Sequence, residues 1–484
     1  MATSFLRLNI LSCFLLVSLC LLIYSKQTYA FQEKEITHSH TTVLISSLLP
    51  SSVCNTSTKA SERKSSLKVV HKHGPCNKVD GDITDSLSLQ ADQILLKDQA
   101  RVNSIHSRLS KKTVSSKIKQ TEATTIPAKD GAVVDDSGDY IVTVGLGNPK
   151  KQYLSLLFDT GSDITWTQCK PCANSCYEQK EPIFDPSKSK TYANVSCSSE
   201  ECKSLESATG FSMDCPDSTC VYGIQYADSS YSFGFFARET LTLTSSDVFP
   251  NFLFGCGQNN GGLFGKSAGL LGLGRNQLSI VSQTDGKYKR FFSYCLPSSS
   301  SSTGHLTFGQ PDNLSKTLQF TPLSAVFADT SFYGLDIVGI SVGGQKLPIP
   351  KSVFSNTGTI IDSGTVITRL PPAAYSALRT AFRKAMTKYP RAPDLSFLDT
   401  CYNLSNYTSV KVPKIGFFFR GGIEVIIDVS GIFYVNKVSQ VCLALVGNTD
   451  ANDAAIFGSV QQKTLEVVYD IPGRRVGFAP KGCS

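Results

Sequence analysis

Two short segments of the sequence place an aspartate next to residues that suit acid–base chemistry. The first is Asp159-Thr-Gly-Ser162, and the second is Asp362-Ser-Gly-Thr365. Two carboxylates that are held close together cannot both ionise easily, so such a pair shares one proton. One carboxylate then activates a water molecule as a general base, while the other donates a proton to the group under attack. The two segments therefore indicate water-mediated hydrolysis that works best in acid.

The surroundings of the two aspartates repeat along the chain. Each aspartate follows an apolar run, and each is followed later by two apolar residues and a glycine, at Leu270-Leu271-Gly272 and Ile456-Phe457-Gly458. This internal repeat predicts two related lobes that face each other across a cleft. The alternative of two ordinary type I turns explains the Asp and Gly residues but not the repeated apolar segments.

Asp159 and Asp362 are thus the candidate catalytic residues. In each loop we expect the glycine to permit a sharp turn and the hydroxyl groups to hold the neighbouring carboxylate in orientation. The supporting residues on this interpretation are Thr160, Gly161, Ser162, Ser363, Gly364 and Thr365.

The elements that must position these loops are mostly strands. From Tyr140 onward, short apolar or alternating runs are separated by Gly, Pro, Asn and Ser, a texture typical of an all-β protein. One helix is predicted at Pro372–Lys388, because apolar residues recur there at helical spacing after prolines that suit a helix N-terminus. The predicted strands include Tyr140–Leu146, Tyr153–Phe158, Leu241–Thr244, Phe252–Phe254, Val410–Val412 and Leu465–Tyr469.

The first thirty residues are typical of a secretory signal peptide. Arg7 precedes a nearly unbroken apolar run from Leu8 to Ile23, and a small residue, Ala30, suits the cleavage site. The alternative is a signal anchor, although the apolar run is short for a stable membrane span. We expect cleavage near Ala30 and no membrane anchor elsewhere.

Residues 31–128 are polar, and we interpret them as a propeptide. Within them, five apolar residues recur at helical spacing, which predicts an amphipathic helix that needs a partner surface. These residues are Ile94, Leu95, Val102, Ile105 and Leu109.

The net charge of +8 is concentrated in this first part of the chain. Residues 1–128 hold 16 Lys and Arg against 9 Asp and Glu, so the remaining region is nearly neutral. It offers no basic stripe for nucleic acid. We expect the basic residues of the propeptide to neutralise carboxylates of the cleft near neutral pH and to release them in acid.

Twelve of the 16 cysteines follow residue 128. An even number in a chain predicted to enter an oxidising compartment favours six disulfides. A zinc site at Cys169, Cys172 and Cys176 is the alternative, but no histidine lies nearby. We therefore expect no metal and no cofactor.

Only one histidine, His305, lies beyond residue 128, in a Ser-rich stretch that we interpret as a surface loop. A Ser-His-Asp or Cys-His mechanism would depend entirely on that residue, so the sequence argues against both. Asn-X-Ser/Thr sequons fit a secreted glycoprotein. The glycosylation candidates are Asn194, Asn313, Asn403 and Asn406.

Residues 139–484 resemble the pepsin-like (A1) aspartic proteases, and more closely their nepenthesin-type plant branch. The resemblance is carried by Val144-Gly-Leu-Gly-Asn-Pro149 and Asp159-Thr-Gly-Ser-Asp-Ile-Thr-Trp166, together with a cysteine-rich insertion at 169–220. It implies a bilobal, all-β acid protease fold with a few short helices. It also implies an aspartic endopeptidase that is made as a zymogen and binds extended polypeptide substrates.

The resemblance also implies the organisation of the chain. It gives an N-terminal lobe at 129–325 and a C-terminal lobe at 326–484, after a signal at 1–30 and a propeptide at 31–128. It favours a monomer in the extracellular space or cell wall, with the vacuole as the alternative destination. The expected partners are polypeptide substrates and the propeptide.

A flap over the cleft is a further implication of the resemblance. Tyr226 matches the flap tyrosine of the family, and Trp166 would support it. Both glycines of the family's hairpin are replaced here, by Ala227 and Ser229. Tyr222 is a weaker candidate for the same role, and a plain strand tyrosine is the alternative for Tyr226.

The disulfide pattern of the family, carried over cysteine by cysteine, gives six pairs. Sequence alone does not choose among the possible pairings. The pairs are Cys169–Cys172, Cys176–Cys256, Cys197–Cys220, Cys202–Cys215, Cys295–Cys483 and Cys401–Cys442.

A rival function is that of a catalytically silent binding protein, such as an inhibitor of microbial glycosidases. In such relatives of the fold the active-site motifs are degraded, whereas here both motifs are intact. Retained hydrolytic activity separates the two functions.

Overall fold

The computed structural model describes residues 39–49, 51–57, 63–72, 74–77, 91–111, 140–211, 215–226, 229–262, 264–310, 315–327, 330–355 and 357–483. The predicted signal peptide, Asn313 and Ala227 lie outside these residues. The described residues between 39 and 111 are called the N-terminal segment below. No helix in the described part of the chain has both the length and the apolar character that a membrane span needs.

Strands dominate the described chain, which confirms the all-β prediction. The strands are β1 (His40–Leu44), β2 (Ser66–His71), β3 (Tyr140–Leu146), β4 (Gln152–Asp159), β5 (Trp166–Gln168), β6 (Ala193–Asn194), β7 (Val221–Gln225), β8 (Tyr231–Thr244), β9 (Asp247–Gly261), β10 (Gly269–Gly272), β11 (Phe291–Cys295), β12 (Thr303–Phe308), β13 (Gln319–Pro322), β14 (Tyr333–Leu335), β15 (Ile337–Val342), β16 (Gln345–Lys346), β17 (Thr359–Ile361), β18 (Thr368–Leu370), β19 (Arg391–Ala392), β20 (Cys401–Tyr402), β21 (Ser409–Pro413), β22 (Ile415–Phe419), β23 (Ile423–Ile426), β24 (Phe433–Lys437), β25 (Gln440–Leu443), β26 (Leu445–Gly447), β27 (Ala455–Phe457), β28 (Glu466–Asp470) and β29 (Arg475–Ala479).

The α-helices are short, apart from two. They are α1 (Ala91–Lys111), α2 (Glu200–Lys203), α3 (Leu205–Thr209), α4 (Ile280–Gln283), α5 (Asp285–Tyr288), α6 (Ser352–Ser355), α7 (Pro372–Ala385) and α8 (Ser459–Gln462). The predicted helix at Pro372–Lys388 is therefore confirmed as α7, which ends three residues earlier.

One large sheet runs through the molecule. Its fourteen strands include the path β13-β29-β28-β11-β12-β2-β3-β4-β10-β5-β9-β8-β6, with β7 paired to β8. The part of the chain after residue 330 also forms a five-stranded sheet, β14-β17-β27-β18-β26, and two four-stranded sheets, β16-β15-β22-β23 and β19-β20-β25-β24. Because β28 and β29 join the large sheet, strands from both halves of the chain share it.

The internal repeat of the sequence is a structural repeat around the two aspartates. β4 ends at Asp159 and pairs in parallel with β10, where Gly272 lies opposite Asp159. β17 ends just before Asp362 and pairs in parallel with β27, where Phe457 lies opposite Ile361. Each repeat has a third, antiparallel strand. In the first repeat β5 pairs with β10, and in the second β18 pairs with β27. Strands that are covered on both faces have continuous apolar sequences, which explains the unbroken runs before both aspartates.

The predicted amphipathic helix is confirmed as α1, whose apolar face is buried. Ile94, Leu95, Val102 and Ile105 are at most 4% exposed. They pack against buried side chains of the half of the chain that carries Asp362. Burial of each such side chain stabilises the fold by roughly 1.5–3 kcal/mol. The apolar face therefore holds α1 against the rest of the protein.

Two strands of the N-terminal segment also join the body. β1 pairs antiparallel with β21. β2 lies inside the large sheet, antiparallel to β12 on one side and to β3 on the other. The disulfide Cys54–Cys76, which was not among the six predicted, ties together the chain on the two sides of β2.

Two of the predicted disulfides fail because of the position of β5. This strand runs parallel to β9, and Cys169, which follows it, pairs with Cys256 at a Cα separation of 5.3 Å. Cys172 pairs with Cys176 in the loop that follows. The predicted pairs Cys169–Cys172 and Cys176–Cys256 are therefore wrong.

Two further predicted disulfides, Cys197–Cys220 and Cys202–Cys215, are also wrong. The structure pairs the buried Cys202 with the buried Cys220, and the more exposed Cys197 with Cys215. Three of these sulfurs lie within 4.8 Å of one another. The two pairs are therefore distinguished by how deeply their cysteines are buried, and not by the distances between sulfurs. The remaining two pairs, Cys295–Cys483 and Cys401–Cys442, are those that we predicted.

His305 does not lie in a surface loop, contrary to our interpretation. It is a fully buried residue of β12, and its Nε2 atom lies 3.0 Å from Glu466 Oε2. Arg63 of the N-terminal segment donates from Nη1 to Glu466 Oε1 at 2.6 Å. The Ser-rich stretch lies directly before β12, and all six residues of this strand, which ends at Phe308, are buried.

Candidate active site

Asp159 and Asp362 lie side by side at the ends of their equivalent strands. Their side chains are only 4% and 0% exposed. A single nitrogen atom, Arg101 Nη2, donates to Asp159 Oδ1 at 2.6 Å and to Asp362 Oδ1 at 2.9 Å. The two carboxylates are thus within reach of the same atom, as a proton-sharing pair requires.

The hydroxyl residues after the two aspartates tie the loops together. The backbone N–H of Thr160 donates to Ser363 Oγ at 3.1 Å, and that of Ser363 donates to Thr160 Oγ1 at 2.9 Å. We expected these hydroxyls to bond to their neighbouring carboxylates. They instead bond across the two loops. Thr365 does fulfil that expectation, because its Oγ1 donates to Asp362 Oδ2 at 2.6 Å. Ser162 Oγ has no hydrogen-bond partner among the described residues.

Gly161 and Gly364 are needed because a side chain at either position would not fit, and not because their backbone is left-handed. A Cβ atom on Gly161 would lie 2.7 Å from Asp362 Oδ1, and one on Gly364 would lie 2.7 Å from Asp159 Oδ1. Neither glycine has a positive φ. Each glycine therefore allows the opposite loop's carboxylate to approach.

The charge of Arg101 lowers the pKa of one member of this pair, Asp362. Burial raises the pKa of Asp362, but the charge and hydrogen bonds of Arg101, with those of Thr365 and Gly364, outweigh burial and lower that pKa. Burial lowers the pKa of Arg101, and the two carboxylates raise it well above its usual range. In this arrangement the ionised form of Asp362 is favoured, and the guanidinium of Arg101 is its counter-charge.

A second polar contact of α1 lies one turn before Arg101. Asp98 accepts hydrogen bonds from the backbone N–H of Val366 at 2.6 Å and of Ile367 at 3.3 Å. It also accepts one from Arg369 Nη2 at 2.9 Å, and both side chains of this ion pair are at most 2% exposed. α1 thus places one charged side chain on the catalytic pair and another on the segment that follows Asp362.

The contacts near the C-terminal end of α1 are more exposed. His106 Nδ1 lies 3.3 Å from Asp453 Oδ2, and its Nε2 lies 2.9 Å from the backbone oxygen of Ala454. The guanidinium of Arg108 lies over the ring of Phe332, with Cζ 4.7 Å from the centroid. Neither of these two side chains is paired with a catalytic carboxylate.

The candidate flap tyrosine and its predicted support are in contact. Trp166 Nε1 donates to the hydroxyl of Tyr226 at 3.0 Å, and both rings pack edge-on against Phe264. Tyr222 is 1% exposed, and its hydroxyl lies 2.6 Å from Ser232 Oγ. Burial raises the pKa of Tyr222, so this residue belongs to the core and not to the cleft.

Three of the predicted glycosylation candidates, Asn194, Asn403 and Asn406, are exposed. The fourth, Asn313, is one of the residues that the structure does not describe. All three described sequons lie outside the cleft, so none of them belongs to the site.

Sequence reasoning missed Arg101, Asp98 and Arg369. The pattern of Ile94 and Ile105 predicted the buried face of α1, and positions 98 and 101 fall on that same face at helical spacing. A charged residue on a buried stripe needs a buried partner. That anomaly was the available signal, although the partners lie more than 50 residues away in sequence.

Comparisons with known proteins agree with this geometry. Residues 140–310 match the family described as Xylanase inhibitor N-terminal, and residues 332–480 match Xylanase inhibitor C-terminal. An aspartyl protease family protein from Arabidopsis thaliana is 57% identical over 98% of this chain and 99% of its own length. The aspartic proteinase nepenthesin-2 from Nepenthes gracilis is 36% identical over 72% of this chain and 78% of its own length.

Among solved structures, the basic 7S globulin from soybean has a similar fold. It superposes with a TM-score of 0.57, covers 71% of this chain and 91% of its own chain, and is 21% identical. At this level of identity the likeness concerns the fold alone.

Proposed function

Since the chain belongs to the pepsin-like (A1) aspartic protease family, with nepenthesin-type plant proteases among its relatives, we propose that Asp159 and Asp362 are its catalytic pair. The chain is an aspartic-type endopeptidase, and its substrates are polypeptides. The observation that carries the assignment of the two residues is that one nitrogen atom of Arg101 bridges both carboxylates. Two carboxylates that are close enough to accept hydrogen bonds from the same atom act as one titrating unit.

The chemistry follows once Arg101 leaves the pair. Its charge is the largest influence that lowers the pKa of Asp362, so the freed pair takes up one proton. The ionised carboxylate then removes a proton from a water molecule, whose oxygen attacks the carbonyl carbon of the peptide, while the protonated carboxyl group donates to the carbonyl oxygen. The tetrahedral intermediate collapses when the C–N bond breaks and the leaving nitrogen takes a proton from the pair.

On this proposal the N-terminal segment is the inhibitory propeptide of a zymogen. α1 covers the catalytic pair, and Arg101 occupies both carboxylates, so a substrate cannot reach them. The disulfides fit a protein of the secretory pathway. We assign the mature enzyme to the extracellular space, with the vacuole as the alternative destination.

Acid proteolysis by the secreted zymogen tests the assignment. At roughly pH 3 to 5, where such a pair keeps one proton, the protein should cleave a denatured substrate and pepstatin should block the cleavage. Asp159→Asn or Asp362→Asn should lower kcat/KM by roughly a thousandfold or more. The exposed Asp394→Asn is the control and should leave activity unchanged.

The binding-protein alternative has one observation in its favour, the description of the matching families as xylanase inhibitors. Both active-site loops nevertheless keep their aspartate and glycine. If a folded protein that has released its propeptide cleaves nothing, but inhibits a xylanase, the enzyme assignment is wrong.

A further inference from the structure

Three donors converge on the carboxylate of Asp98, and none of them belongs to the N-terminal segment. They are the backbone N–H groups of Val366 and Ile367 and the guanidinium of Arg369. Together they form a carboxylate cradle on the segment that follows Asp362. Convergent backbone and guanidinium donors are the chemistry that recognises an anionic oxygen pair.

The cradle is held in shape by the body of the protein. Arg369 Nη1 donates to the backbone oxygen of Ile367 at 3.1 Å, and its Cζ atom lies 4.3 Å above the ring of Phe397. Its buried Nε atom has no hydrogen-bond partner among the described residues. The guanidinium is therefore positioned by contacts that do not involve α1.

Departure of α1 would leave this cradle without its anion. Arg369 would lose Asp98 and also Gln99, whose Oε1 accepts from Nη2 at 3.3 Å. The guanidinium would then keep one acceptor, the backbone oxygen of Ile367, and its remaining donors would be available to another anion. The open cleft thus retains a preformed site for a carboxylate.

We propose that the cradle binds an acidic side chain of the substrate, so that the endopeptidase prefers peptides with an Asp or Glu near the scissile bond. This inference rests on the proposed function of Asp159 and Asp362. α1 fills the cradle and the catalytic pair at the same time, and Asp98, Arg101, Gly364 and Val366 line one cleft. Asp98 and Arg101 are separated by one helical turn, so an extended peptide spans the two sites with about two to four residues.

The test measures cleavage of matched peptide pairs by the mature enzyme. Internally quenched peptides carry Glu or Gln at each of four positions on either side of the scissile bond, at roughly pH 5, above the ordinary pKa of glutamate. At one position, kcat/KM should favour Glu over Gln by about tenfold or more. In Arg369→Gln that ratio should fall to about one. The exposed Arg420→Gln is the matched control and should keep the wild-type ratio.

Active-site titration with pepstatin normalises every variant, so the ratio does not depend on yield. If Arg369→Gln is not secreted, the double variant Asp98→Asn/Arg369→Gln removes both buried charges together and serves in its place. The proposed role of the cradle would be overturned if the wild-type ratio of kcat/KM for Glu over Gln peptides is near one at every position. It would also be overturned if the preference for Glu survives in the variant that lacks Arg369. Cleavage that persists in Asp159→Asn would instead overturn the proposed function.

Discussion

Helix α1 and strand β2 attach the same N-terminal segment to the body by different kinds of contact. The polar contacts of α1 include three made by ionisable side chains, Asp98, Arg101 and His106. β2 is held on both edges by backbone hydrogen bonds to β12 and β3. Backbone amides do not titrate in the physiological range, whereas carboxylates do.

The difference indicates that acid releases the two attachments separately. The pKa of Asp362 is lowered while α1 is docked. Asp362 therefore stabilises docking above the pKa of the free pair, and this stabilisation is lost as the pH falls through the lowered pKa. Burial raises the pKa of Asp98, despite Arg369 and Arg101, so Asp98 contributes in the opposite sense. The helix is then acid-sensitive through Asp362, whereas the backbone hydrogen bonds of β2 do not themselves change with pH.

Removal of Arg101 should have the largest effect. In Arg101→Gln the buried ion pairs are lost, and we expect the zymogen to convert about a hundredfold faster at mildly acidic pH. The conversion should also depend less steeply on pH, because the charge that lowers the pKa of Asp362 is gone. Gel analysis of conversion against time and pH measures both quantities. The exposed Arg420→Gln is the control, and equal rates for the two variants would refute the role of Arg101.

A smaller effect is expected where the N-terminal segment meets the large sheet. Burial raises the pKa of Glu466, but His305 and Arg63 outweigh it and lower that pKa from 4.5 to about 2. Glu466 therefore stabilises the zymogen above about pH 4.5, and this contribution, about 3 kcal/mol, is lost as the pH falls towards 2. Urea unfolding of the zymogen across this range should show the loss in the wild type and not in Glu466→Gln. A half-exposed control, Asp285→Asn, should keep the wild-type dependence of the unfolding free energy on pH.

The smallest effect should come from His106 at the end of α1. Its contact with Asp453 is partly exposed, with 12% and 29% of the two side chains accessible. Pairs of this kind contribute little, so His106→Gln should change the conversion rate by no more than about threefold. A change in conversion rate as large as that of Arg101→Gln would mean that the docking of the whole helix, and not Arg101 alone, blocks the catalytic pair.

The sequence predicted the parts of the site that depend on local pattern. The repeated Asp-hydroxyl-Gly loops, the strands before them and the stripe of α1 are each visible within a few residues. The contact between Trp166 and Tyr226 came from the family resemblance and is present in the structure.

What the sequence did not predict depends on tertiary neighbours. The targets of Asp98 and Arg101 are set by the docking of α1, which no local pattern specifies. The pairing of Cys197, Cys202, Cys215 and Cys220 depends on which of these residues is buried. His305 was misplaced because the serines before β12 resembled a loop, although Thr303–Phe308 forms a strand inside the sheet.

The interior position of β2 has a consequence for the solubility of the activated enzyme. Loss of this strand would turn β12 and β3 into two facing edges with unpaired N–H and C=O groups. Exposed edges of this kind recruit strands from other chains and lead to aggregation. A cleavage that frees α1 but leaves β2 in place would yield a two-chain enzyme without such a gap. The choice of cleavage site thus governs whether activation also creates an aggregation-prone surface.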